Sequence, residues 1–136
     1  MGLSIEDQLA IQGLAARYSH AVDTGDIDGF LSAFTEDGVF DFVGTAKFEG
    51  HAALKALPES FANSPGQGRH ITTNLVIDGN GDRATLKAYV HVLTLIGDPP
   101  AFTVTTGGTY DDSLVKEDGR WRFSSRTFTS DKLLLG

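Results

Sequence analysis

The chain has 136 residues, 40% of them hydrophobic, a formal net charge of −7 and no cysteine. Such a length can bury roughly two thirds of the unfolded surface, enough for one domain over residues 1–136 with one core and a modest pocket. Eleven scattered Lys and Arg supply no basic field for phosphates, which excludes nucleic acid as a partner, and without cysteine there is no disulfide framework or thiolate site.

Met1 to Asp7 lacks the basic region and apolar run of a signal peptide. No apolar stretch approaches the ~20 residues of a membrane span, so a cytoplasmic protein with no membrane partner is expected. Ser4, with Asp7 three residues on, opens a helix to about Val22, whose apolar stripe is Ile11, Leu14, Ala15, Tyr18 and Val22. Gly25 suits a left-handed C-cap. Asp26 suits the N-cap of a second, short helix carrying Ile27, Phe30, Leu31 and Phe34. Val39–Val43 reads as a strand, and a third helix runs from about His51 to Ala62, ended by Pro65, Gly66 and Gly68. Arg69–Ile77, Ala84–Ile96, Phe102–Val115 and Arg120–Thr129 read as long strands joined by hairpin turns, which predicts an antiparallel, strongly twisted sheet. Helices first and a meander afterwards define an α+β fold.

The end of the first helix places Tyr18 five residues ahead of Asp23. A phenol and a carboxylate that meet in an apolar pocket can enolise, isomerise or dehydrate a small carbonyl compound. Each residue also has a plain structural reading. Tyr18 lies in the apolar stripe, as a core tyrosine would. Asp23 sits at a helix C-terminus, where the dipole disfavours negative charge, so it either caps the turn at Thr24 and Gly25 or acts in a site. His70, Thr72 and Asn74 share one strand face, and Ile71, Thr73, Leu75 and Ile77 the other. His91 shares a face with Lys87 and Tyr89, as an outer surface or subunit contact would. His20 and His51 read as solvated. Asp111, Asp112, Glu117 and Asp118 match no calcium loop and read as a solvated hairpin. The histidines lack metal-ligand spacing, and no phosphate loop, HExxH or GxSxG occurs, so neither metal nor cofactor is expected.

The run Arg17 to Phe30 resembles the ketosteroid isomerase, scytalone dehydratase and SnoaL-like group of the NTF2-like superfamily. Further phrases carry the resemblance in order: Phe34-Thr35-Glu36-Asp37-Gly38, Phe48-Glu49-Gly50-His51, Arg69-His70 with Asn74, Gly108-Thr109-Tyr110-Asp111-Asp112 and Asp118-Gly119-Arg120-Trp121. It implies a cone-shaped, cystatin-like fold, with N-terminal helices packed in a strongly curved, mostly antiparallel sheet around an apolar cavity. Compared with ketosteroid isomerase, Tyr18 matches the oxyanion-hole tyrosine. The proton-shuttling aspartate falls on Phe42, however, and the second oxyanion donor near Gly108, so that activity is not implied. The dehydratases fit better: Tyr18, Asp23 and His70 match their Tyr, Asp and His, and His91 lies near a second His. The resemblance implies a cofactor-free acid–base dehydratase for a small, apolar, oxygenated molecule, with Tyr18, Asp23 and His70 catalytic. Phe30, Phe34, Phe40, Phe42, Asn74 and His91 would contact the substrate. Isomerase or polyketide-cyclase-type activity, or a non-catalytic ligand-binding module, stays open. Relatives of this group form homo-oligomers, so a dimer or trimer is expected.

Overall fold

The computed structural model describes residues 2–64 and 67–132. Helix α1 (Ile5–Thr24) starts where the Ser4 hydroxyl accepts the Asp7 N–H at 3.1 Å, and stops at Gly25, whose φ of 70° is left-handed. A residue without a Cβ takes that conformation at no steric cost. The Asp26 carboxylate accepts the Gly29 N–H at 3.0 Å and starts α2 (Ile27–Ser32). A hairpin follows, β1 (Phe34–Phe42) with β2 (Ala46–Glu49), then α3 (His51–Leu54) and α4 (Ala56–Ala62). Strands β3 (Gly68–Asn80), β4 (Arg83–Ile96), β5 (Ala101–Glu117) and β6 (Arg120–Ser130) complete the chain.

The α+β reading holds, with local differences. The third helix is two short ones, broken around Lys55. Six strands form one strongly curved sheet in the order β2-β1-β6-β5-β4-β3, antiparallel except where β1 runs parallel to β6. Register shifts interrupt β3–β4 between Thr73 and Val76, β4–β5 between Val92 and Leu93, and β5–β6 between Ser113 and Leu114. An extra residue in one strand bends it and increases its twist, so these bulges curl the sheet around α1. The buried residues of α1, from Ile11 to Val22, meet the inward side chains of the sheet, among them Leu86, Val90, Leu114 and Phe123. Among the described residues no helix is long and apolar enough to cross a membrane.

The start of α1 is tied to the far end of the sheet. The Asp7 carboxylate accepts the Trp121 indole N–H at 2.9 Å and the Lys116 ammonium at 3.0 Å. These two donors, the indole first, hold the Asp7 carboxyl below its ordinary value. A carboxyl with a depressed folded pKa stabilises the native state above its unfolded pKa of about 3.9, and that contribution disappears as pH falls through the folded value. Asp7→Asn should therefore lower the urea midpoint at pH 7, and its gap to the parent protein should close as pH drops below about 3.9. A gap independent of pH would mean that shape, not charge, matters at this position.

Candidate active site

Asp23, in the last turn of α1, reaches across to β3. One carboxylate oxygen accepts the His70 backbone N–H at 2.9 Å, and the other lies 2.5 Å from His70 Nδ1. The side chains of His70 and Asp23 are 7% and 15% exposed. Asp23 therefore does not cap its own turn: Gly25 N–H and Asp26 N–H both go to the Ala21 carbonyl oxygen. No basic residue occupies the last turn of α1 to offset the dipole, and two N–H groups from β3 supply that compensation instead. A carboxylate only accepts, so Nδ1 carries the hydrogen that faces Asp23, and in the neutral imidazole Nε2 is then the acceptor. The Phe61 ring of α4 meets the imidazole edge to face, with centroids 4.9 Å apart, and fixes its plane.

His70 lines a cavity of about 100 Å³ together with Tyr18, Val22, Phe40, Phe42 and Tyr110. This is less than the ~150 Å³ of an apolar cavity known to admit benzene, so it takes a short chain or part of one ring, with the remainder of a ligand lying in the mouth. Phe61 and Thr106 separate it from a wider, polar vestibule of about 480 Å³. Asp23, Ser64, Gln67 and Thr94 line that outer space. The expected single elongated cavity is thus an apolar inner chamber behind a polar mouth, with the Asp23–His70 pair between them.

Two phenols line the same cavity as the imidazole. Burial pushes Tyr18 well above its ordinary pKa, with Tyr110 adding to the shift and the Arg126 cation opposing it. Burial raises Tyr110 too, again against Arg126, with the neighbouring Tyr18 also opposing the rise. Both therefore stay protonated and can donate. Arg126 on β6 is fully buried, and its Nε and Nη2 donate to the two Asp112 carboxylate oxygens at 3.0 Å each. Its guanidinium carbon lies 3.6 Å from the Tyr110 ring centroid and 4.3 Å from those of Tyr18 and Phe123. Burial alone would lower the Arg126 pKa, but Asp112 and both phenols reverse this and keep it charged.

The structure brings together Tyr18, Asp23, His70, Phe40 and Phe42. It does not bring the other expected contacts into the cavity. Phe30 and Phe34 pack behind Tyr18, with centroids 5.2 and 6.1 Å from its ring, inside a closed aromatic cluster. Asn74 takes φ 56° at the β3 bulge and is exposed. Beyond it the alternation inverts, so Leu75 and Ile77 turn inward while Val76 turns out. His91 is exposed on the outer face, as alternation with buried Val90 and Val92 requires. Gly108 sits where a Cβ would lie 2.6 Å from the Phe128 ring, so that ring fills the place of a second oxyanion donor. Asp112 is no part of a solvated hairpin but half of a buried ion pair, and His51 is partly buried, with Nε2 3.2 Å from the Phe34 carbonyl oxygen. Tyr110, Arg126, Phe61 and Phe128 were not foreseen. Among the described residues no His, Asp or Glu cluster could hold a metal ion.

A curved, open sheet wrapped around one helix, with the Asp23–His70 pair beside its cavity, defines an α+β cone. The chain belongs to the SnoaL-like domain family of the NTF2-like superfamily, whose model matches residues 3–127. No curated protein matches. A Mycobacterium tuberculosis protein of unknown function is 35% identical in sequence and superposes with a TM-score of 0.88, over 95% of this chain and 74% of its own. A Catenulispora acidiphila protein in complex with S-DNPA is 31% identical, with a TM-score of 0.82 over 94% and 96% of the two chains. A scytalone dehydratase candidate from Novosphingobium aromaticivorans, at 22% identity and TM-score 0.81 over 94% and 86%, shares the fold. Cystatin-like, NTF2-like neighbours agree with the curved, open sheet seen here.

Proposed function

We propose that the protein is a cofactor-free dehydratase for a small, oxygenated molecule with an apolar end. The observation that carries this reading is the Asp23–His70 pair, with its free Nε2 on the same cavity as two protonated phenols. His70 Nε2 takes the proton from the carbon next to a carbonyl, and Asp23 balances the imidazolium. The released electron pair forms an enolate, whose oxygen accepts a hydrogen bond from Tyr18 and Tyr110. When the enolate collapses, the C–O bond one carbon further breaks, and the hydroxide leaves as water with the proton from Nε2. A C–H and a C–O bond are lost, a C=C bond is gained, and nothing is oxidised. Ligand binding by a relative of 31% identity supports a small molecule as the partner, and isomerisation would use the same first step.

In D2O, the protein should exchange the α-protons of short β-hydroxy ketones, followed by proton NMR. His70→Gln should slow exchange by about 10²–10⁴-fold, and Asp23→Asn less. Exchange no faster than in buffer, across a panel of ketones that fit the cavity, would leave the chain a binding module.

The outer sheet face carries exposed Ile71, Val76, Tyr89, Phe102 and Val104. Such a patch supports self-association across this face. Sedimentation should give a dimer or trimer that Tyr89→Glu with Val104→Lys converts to monomer. A monomeric parent protein at micromolar concentration would remove that reading.

A further inference from the structure

We infer that Arg126 is a positioning residue whose buried cation makes the Tyr18–Tyr110 phenols selective for an anionic oxygen, so that the cavity prefers phenolates and enolates to neutral molecules of the same shape. The inference rests on the cavity being a site for oxygenated substrates and extends it to their charge state. A fully buried ion pair is a weak source of stability, because desolvating two charges costs about what their attraction returns. Well-packed apolar residues would serve the core of this sheet as well. What the pair does provide is a fixed positive charge stacked against both tyrosine rings that line the cavity. Asp112 lies directly opposite Arg126 in the β5–β6 register, so the two side chains leave the same face of the sheet side by side. The guanidinium face, not the carboxylate, is therefore turned to the phenols. Arg126 accordingly outweighs Asp112 in its effect on both phenols. The third guanidinium nitrogen, Nη1, is buried without a hydrogen-bond partner, so part of the charge is uncompensated by direct bonding. The hydroxyls of both rings are polarised by the cation packed against them. An oxygen that gains negative charge during proton removal is the species such a donor favours.

The test follows absorbance of 4-nitrophenol against pH with the native protein, and uses nitrobenzene as the neutral analogue. Bound 4-nitrophenol should ionise at lower pH than free, and the phenolate should bind more tightly than nitrobenzene. The double variant Asp112→Leu, Arg126→Met replaces the pair with apolar residues, a kind of change that cores tolerate. It should bind nitrobenzene as before and the phenolate about tenfold more weakly. Asp112→Asn has the opposite sign: it keeps an acceptor for Arg126 but removes the countercharge, so it should strengthen the phenolate preference. The affinities of all proteins are compared at one pH, so that Asp23 and His70 are in the same state in each. A merely structural Arg126 would weaken both ligands together. An unchanged preference in either variant, or no phenolate preference in the native protein, overturns the inference. No turnover is measured, so a cavity that prefers phenolates without catalysis leaves the inference standing and removes only the dehydratase reading.

Discussion

Everything at this site depends on how the end of α1 is held against β3. The Asp23 carboxylate takes both the backbone and the ring N–H of His70. One oxygen pins the strand and the other orients the imidazole. A carboxylate placed one residue earlier or later on the helix would be rotated by about 100° and lose both contacts. The left-handed Gly25 that follows lets α4 pack close, since a Cβ there would lie 2.7 Å from that of Ala62. Tyr18, on the same helix, is carried into the chamber by the same rotation.

The chamber around this pair combines two unlike environments. Its inner wall is aromatic, with Phe40, Phe42, Tyr18, Tyr110 and Phe128, and it excludes bulk water from the imidazole. Its mouth is lined by hydroxyl and amide groups such as Ser64, Gln67 and Thr94. In the proposed reaction, a proton taken up by His70 would be returned inside the apolar chamber, with a polar part of the ligand in the mouth. Behind the inner wall, Arg126 and Asp112 place charge where a core normally has none.

Much of the scaffold was legible in the sequence. Ser4 and Asp26 cap their helices as expected, Gly25 ends α1, and the four long strands lie close to their expected positions. Tyr18, Asp23 and His70 meet because helix periodicity, the turn at Gly25 and the resemblance all pointed the same way. Two of the failures share one physical cause, the β-bulge. Simple alternation on β3 grouped Asn74 with His70, but the bulge gives Asn74 a positive φ and inverts everything after it. On β6, alternation from Trp121 and Phe123 would bring Ser125 and Thr127 inward. The extra residue near Ser124 brings in Arg126 and Phe128 instead. A one-residue slip exchanges the two faces of a strand. Asn74 itself was a usable signal, since asparagine tolerates the left-handed region better than most residues. No comparable signal marks Ser124. Phe30 and Phe34 were misplaced for a different reason: aromatic content does not distinguish a cavity wall from a filled core.

The central claim is that Asp23 fixes His70 with its hydrogen on Nδ1 and its lone pair on Nε2, facing the cavity. Long-range proton–nitrogen correlation spectra of the neutral imidazole, assigned with a His70→Gln variant, test this directly. The account predicts a protonated Nδ1 and an unprotonated Nε2, with the Nε2 resonance moving when 4-nitrophenol is added. An imidazole protonated on Nε2 would place the shared hydrogen on Asp23, leave no base on the cavity, and contradict the account.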